Sequence, residues 1–144
     1  MAITLICVHC SATPPRMDIG VKEIDAWHRA RGWTMVGYND VIRRDGRLEA
    51  GRPWGAHLAH ATGHNEGAIA VCLVGGVDEN KNPEGNFTPD QLRTLDVYLD
   101  FAKLRYPEAE IKGHRDLPGV AKDCPSFDVT LYRTTGEVTH PRKG

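Results

Sequence analysis

The sequence predicts an α/β (α+β) fold, a single domain over residues 1–144 with a mixed central sheet of about five strands flanked by helices. Three observations predict it. Residues 3–8 and 68–74 are apolar runs rich in β-branched side chains, the pattern of strands buried on both faces. Two segments with helical spacing of apolar residues lie between and after those runs. Asp45-Gly46 joins two short extended segments as a hairpin, which breaks a purely parallel arrangement.

Taken in order, residues 3–8 form the first strand. His9-Cys10-Ser11-Ala12-Thr13-Pro14-Pro15 follows at its C-terminal end, where loops carry function. Successive strand side chains point to opposite faces, so only one of His9 and Cys10 can serve a given ion. Residues 21–31 read as a helix with Val21, Ile24, Trp27 and Ala30 as its apolar stripe, His28 beside the stripe as surface or packing, and Gly32 closing it. Residues 37–50 read as the hairpin, with strands at 38–43 and 47–50; Tyr38 is either a packing residue or a hydroxyl facing a site. Residues 51–67 are rich in Gly, His and Ala without periodicity and read as loop. Their His57, His60 and His64 are a rival metal cluster, but no Cys or carboxylate stands at matching spacing, and a groove lined by imidazoles is the preferred reading.

Gly75-Gly76 ends the second long strand. Thr88-Pro89-Asp90-Gln91 starts a helix: Thr88 caps, Pro89 suits the first turn and Gln91 holds the capping-box position. Its core face is Leu92, Leu95, Leu99, Ala102 and Tyr106. Residues 110–113 form a short strand leading into His114, residues 127–133 a last short helix, and 134–144 a polar tail expected to fray.

Eighteen basic residues stand against 19 acidic, for a net charge of -1. That balance argues against a nucleic-acid partner bound by phosphate neutralisation and against a polybasic membrane anchor. No run approaches the roughly 18 apolar residues of a membrane span, and the first residues lack the basic region of a signal peptide, so folding in the cytosol is expected. The four cysteines, Cys7, Cys10, Cys72 and Cys124, are then expected as reduced thiols, with Cys7 and Cys72 as small buried hydrophobes.

The chemistry concentrates in residues 113–128, where His114, Lys122 and Cys124 flank a Pro118-Gly119 turn that can fold the imidazole and the thiol toward one point. A nitrogen-sulfur pair suits zinc. With His9 as third donor, the set has the count and type of a catalytic zinc: three protein ligands and one open position.

These residues lie in motifs that resemble a known family. Val8-His9-Cys10-Ser11-Ala12-Thr13, Trp27-His28 with Gly32-Trp33, Gly37-Tyr38, Arg44-Asp45-Gly46 with Glu49-Ala50-Gly51-Arg52, His60 with Val71-Cys72-Leu73-Val74-Gly75-Gly76, Asn86-Phe87-Thr88-Pro89, Gly113-His114-Arg115-Asp116 and Cys124-Pro125-Ser126-Phe127-Asp128 together resemble the zinc-dependent N-acetylmuramoyl-L-alanine amidases of the second type. The likeness is strongest to the amidase-type lysozymes of T-odd coliphages and extends to peptidoglycan recognition proteins. It implies Zn2+ on His9, His114 and Cys124, Tyr38 and Lys122 as the catalytic residues beside the metal, and hydrolysis of the amide between N-acetylmuramic acid and L-alanine. It leaves open which group takes the proton from water. His60 is expected to line the substrate groove.

Two departures stand out. Asn39 occupies a position where the phage relatives often carry an aromatic or imidazole, and the segment before His9 is shorter than theirs. Those relatives bind their phage RNA polymerase partly through that segment, so polymerase binding is not carried over. The expectation is a monomeric phage or prophage endolysin, made in the host cytoplasm and reaching peptidoglycan once a partner has permeabilised the membrane. The alternatives are a muropeptide-recycling amidase, a non-catalytic peptidoglycan-binding module and a polymerase regulator.

Overall fold

Strand β1 (Leu5–Cys10) pairs in parallel with two neighbours, β4 (Ala68–Leu73) on one side and β5 (Glu110–Gly113) on the other. Beyond β4 lies β2 (Asp40–Ile42), also parallel, and the edge is β3 (Leu48–Ala50), antiparallel to β2. The mixed five-stranded sheet therefore runs β3-β2-β4-β1-β5. Helices α1 (Val21–Ala30), α2 (Pro89–Arg105) and α3 (Val129–Thr135) complete a single α/β domain. The computed structural model describes residues 2–138.

Side-chain alternation sorts the two faces. Ile6, Val8, Ile42, Ile69, Val71 and Leu73 pack with Leu95, Tyr98, Leu99 and Ala102 of α2 and with Phe127, Val129 and Tyr132 at α3. The other face of the same strands carries Cys7, Ala68, Ala70 and Cys72, covered by α1 and the surrounding loops.

Helix α2 begins as its sequence predicts. Gln91 N–H donates to Thr88 Oγ1 (3.1 Å), and Thr88 N–H donates to Gln91 Oε1 (3.0 Å). Gln91 is fully buried, because its Nε2 also donates to the carbonyls of Ile42 (3.2 Å) and Val74 (2.8 Å), tying the helix to β2 and the end of β4. Helix α1 starts at Gly20, which has no side chain to cap with. Glu23 instead accepts from the Gly20 N–H (2.9 Å), and Glu49 of β3 accepts from the Val21 N–H (2.9 Å). In α3, Asp128 caps by accepting from the Leu131 N–H (2.9 Å).

Several expectations shift. Strand β1 ends at Cys10, so His9 and Cys10 are strand residues rather than loop. The hairpin strands are shorter than predicted, and Tyr38 lies ahead of β2. The inward face of α1 is Ile24 and His28, whereas Trp27 is 42% exposed and Ala30 also faces outward. His28 is buried because its Nδ1 accepts from the Gly37 N–H (2.9 Å) and its ring packs edge-on against Trp33 and Tyr38. Helix α3 runs to Thr135, into the segment expected to fray, and residues 139–144 of that tail lie outside the described residues.

Candidate metal centre

Three segments bring the donors together. Because Cys10 belongs to the α2-facing core, its strand neighbour His9 projects from the opposite face, where it is 1% exposed. His114 opens the 3-10 turn His114–Asp116 that follows β5, next to β1. The chain then turns at Leu117 and Gly119, and the Arg115 N–H donates to the Cys124 carbonyl (2.8 Å), which closes the loop and returns Cys124 to the cluster. One ligand atom each from His9, His114 and Cys124 lies within 4.8 Å of the others.

The set is chemically suited to a metal. Burial, then the neighbouring charges of His60 and His114, holds the His9 imidazole well below its ordinary value. Burial, then His60 and Lys122, lowers His114 to about 4. Both rings are therefore neutral, with a lone pair to give. Without a cation, hydrogen bonding to the Cys10 thiol and then burial push the Cys124 thiol upward; a coordinated ion reverses this by deprotonating it. The Cys10 backbone N–H donates to Cys124 Sγ (3.2 Å), a contact that favours a thiolate there. A nitrogen and a sulfur on one tetrahedral zinc stand about 3.5 Å apart, given bonds of about 2.0 and 2.3 Å. Cys124 Sγ is 3.8 Å from His9 Nδ1.

A second grouping, Cys7, His9 and His60, has the same compactness. It does not suit an ion. His9 Nε2 and His60 Nδ1 are 2.8 Å apart, a hydrogen bond, whereas two nitrogens on a tetrahedral zinc stand about 3.3 Å apart. The rival trio in residues 51–67 is not brought together either: His57 is exposed, His60 turns toward His9, and neither metal-sized grouping among the described residues contains His57 or His64.

The donors open onto a cleft of about 730 Å³, also lined by Tyr38, His60 and Lys122. The Tyr38 ring sits 4.9 Å from the His9 ring. Burial, then the thiols of Cys72, Cys124 and Cys10, pushes its phenol well above the ordinary value, so it carries its proton. Its placement depends on Gly37: a Cβ there would overlap the Ala59 carbonyl oxygen, so the chain before Tyr38 can press against the loop only as glycine. Lys122 is exposed on the cleft wall two residues before Cys124.

Asn39 has no place in the cleft. It is 1% exposed, its Nδ2 donates to the carbonyls of Arg52 (3.1 Å) and Pro53 (3.0 Å), and its Oδ1 accepts from the Ala70 N–H (2.8 Å). It stitches the loop after β3 to β4. Trp27 and Trp33 line the cleft wall, roles that the sequence reading did not assign, because Trp27 fits the helical spacing of a core stripe.

An α/β domain with two imidazoles and a thiol at the floor of an open cleft, a group able to hold a metal ion, is an arrangement suited to hydrolase chemistry. The chain belongs to the N-acetylmuramoyl-L-alanine amidase family, whose family model, Amidase_2, matches residues 1–127. It is 47% identical over 137 residues to the endolysin of Enterobacteria phage K11, covering 95% of this chain and 89% of that one. It is 42% identical over 139 residues to the endolysin of Escherichia phage T7, covering 96% and 91%. Among solved structures, the N-acetylmuramoyl-L-alanine amidase LysC from Clostridium intestinale superposes with a TM-score of 0.77 at 26% identity, over 94% of this chain and 85% of that one. Drosophila PGRP-LB, at 20% identity and a TM-score of 0.76 over 99% and 86%, shares the fold.

Proposed function

We propose that His9, His114 and Cys124 hold a zinc ion, and that Tyr38 and Lys122 act beside it on the scissile amide. The activity is that of a peptidoglycan amidase, cleaving between N-acetylmuramic acid and L-alanine, as family membership and the phage endolysin relatives indicate. The observation that carries the zinc reading is the convergence of two neutral imidazoles and a thiol within 4.8 Å on a cleft floor.

Held by His9, His114 and Cys124, a zinc ion would supply Lewis acidity to the site. The chain does the rest. Tyr38, protonated and packed against His9, donates its phenolic hydrogen to the lactyl oxygen as negative charge develops. Lys122 brings an ammonium to the same oxygen from the cleft wall. Residues placed this way stabilise the transition state more than the neutral ground-state carbonyl.

In the cell, the chain acts as a monomeric endolysin that waits in the host cytoplasm and reaches the wall after the membrane is permeabilised. No helix among the described residues is long and apolar enough to cross a membrane. Metal analysis of the purified protein, with chelation and zinc readdition while new L-alanine amines are released from sacculi, tests the activity. The expected result is one zinc per chain and amidase activity that follows the metal; full activity without metal overturns the reading. Unaided lysis of intact Gram-negative cells from outside would count against the proposed route.

A further inference from the structure

We propose that His60 is a positioning residue that fixes the tautomer of His9, so that His9 presents Nδ1, and not Nε2, to the metal. This rests on the zinc reading above.

The hydrogen bonds set a direction. His60 Nε2 lies 2.7 Å from the His64 carbonyl oxygen. A carbonyl only accepts, so the proton is on His60 Nε2 and a neutral His60 is bare at Nδ1. That bare nitrogen is 2.8 Å from His9 Nε2, which must therefore be the donor. A neutral His9 with its proton on Nε2 keeps its lone pair on Nδ1, and Nδ1 is the nitrogen 3.8 Å from Cys124 Sγ. Reversing the chain would set two lone pairs against each other at the His64 carbonyl and turn an N–H toward the sulfur.

The far end of this relay is itself fixed. Asn65 Oδ1 accepts from the N–H groups of His60 (2.9 Å) and Ala61 (3.0 Å), and the His64 N–H donates to the Ala61 carbonyl (2.9 Å). The loop thus delivers a carbonyl to the one place where it can orient His60. Ligating histidines commonly give their second N–H to a carboxylate or a carbonyl. Here an imidazole stands between the ligand and the carbonyl. Both nitrogens of His60 are thereby engaged within the protein, so its role in the cleft wall is to orient His9 rather than to make a polar contact with substrate.

The test uses histidine labelled with 15N in the intact chain, with and without zinc. Long-range 1H–15N correlation at pH 7.5 reports which nitrogen carries each proton. Nε2–H on both His9 and His60 before metal is added is the expected result, and Nδ1–H on His9 overturns the proposal. Chelator competition then reads zinc affinity in H60L and H60Q. H60L should bind about 10–100-fold more weakly. H60Q should recover most of that loss, because its amide can donate to the His64 carbonyl and accept from His9; H60L binding as tightly as the parent overturns the proposal. Should H60L fail to fold, the tautomer spectrum of the parent decides. If the parent binds no zinc, the metal reading fails by itself, while the tautomer is still read from the metal-free protein.

Discussion

On the face covered by α2 and α3, β1 and β4 present Ile6, Val8, Ile69, Val71 and Leu73; on the other, the same strands present Cys7, His9, Ala68, Ala70 and Cys72. The first face is filled by aliphatic bulk, and Gln91, a buried polar group there, spends its side-chain donors and acceptor on neighbours within the protein. The second face is floored with small side chains. Tyr38 packs over Ala68 and Ala70, and the imidazoles of His9, His60 and His114 fit in the space left above the sheet. Gln91 only holds elements together, as Asn39 and His28 do on the second face, but the second face also gathers one ligand atom each of His9, His114 and Cys124 within 4.8 Å of one another. Four substitutions test whether that division is real.

The largest effect is expected at the metal. Cys124→Ser replaces the thiolate with a poorer donor, and losing the ion forfeits several kcal/mol of charge stabilisation. Turnover on sacculi should fall at least about a hundredfold, with zinc well below one per chain by elemental analysis. Retained zinc with full turnover would dissolve the distinction between the faces. Next come Tyr38→Phe and Lys122→Ala. Each should keep its zinc yet lose at least about tenfold in turnover, since each is a donor aimed at developing charge. An unchanged rate in either removes that residue from the mechanism.

Gln91→Met probes the other face. The substitution strands the Thr88 N–H and removes the bonds to the Ile42 and Val74 carbonyls, at a cost of about 1–3 kcal/mol. Urea unfolding should show that loss, while zinc content and turnover per folded molecule stay at the parent's values. A fall in turnover without a fall in stability would show that the faces are coupled.

Much of this division can be read from the chain itself, though not all of it for the same reason. Residues 68–74 read correctly as a buried strand, but as a continuous apolar run they conceal their size alternation. Ala68, Ala70 and Cys72 are small and Ile69, Val71 and Leu73 are large, and that alternation marks which face has room for a site. The donors His9, His114 and Cys124 are legible because their residue types are unusual in company. The role of His60 is not, because it depends on where the His64 carbonyl points, a backbone fact that no side-chain pattern encodes. Helix α1 misleads for a related reason. Its buried His28 is polar and its exposed Trp27 is apolar, so a hydrophobic stripe selects the wrong face.

His28 also gives the smallest predicted effect, and the one whose sign is most easily checked. Burial, then the charge of Arg31, with Asp25 opposing and Arg52 reinforcing, lowers its imidazole from an ordinary 6.5 to about 4. Its Nδ1 must stay bare to accept from the Gly37 N–H, which helps position Tyr38. Between those two values the unfolded chain binds a proton that the folded chain refuses. His28 therefore contributes stability that is fully present above about pH 6.5 and is lost as pH falls toward about 4. In His28→Asn an amide oxygen takes over as acceptor with no group to titrate. In metal-free protein, where His9 and His114 titrate alike in both forms, the urea midpoint of the variant should drop less between pH 7 and pH 5 than that of the parent. An equal drop would mean that the Gly37 N–H does not depend on a neutral His28, and that the Arg52 N–H bond to the Tyr38 carbonyl (2.9 Å) and the packing around the ring suffice to place Tyr38.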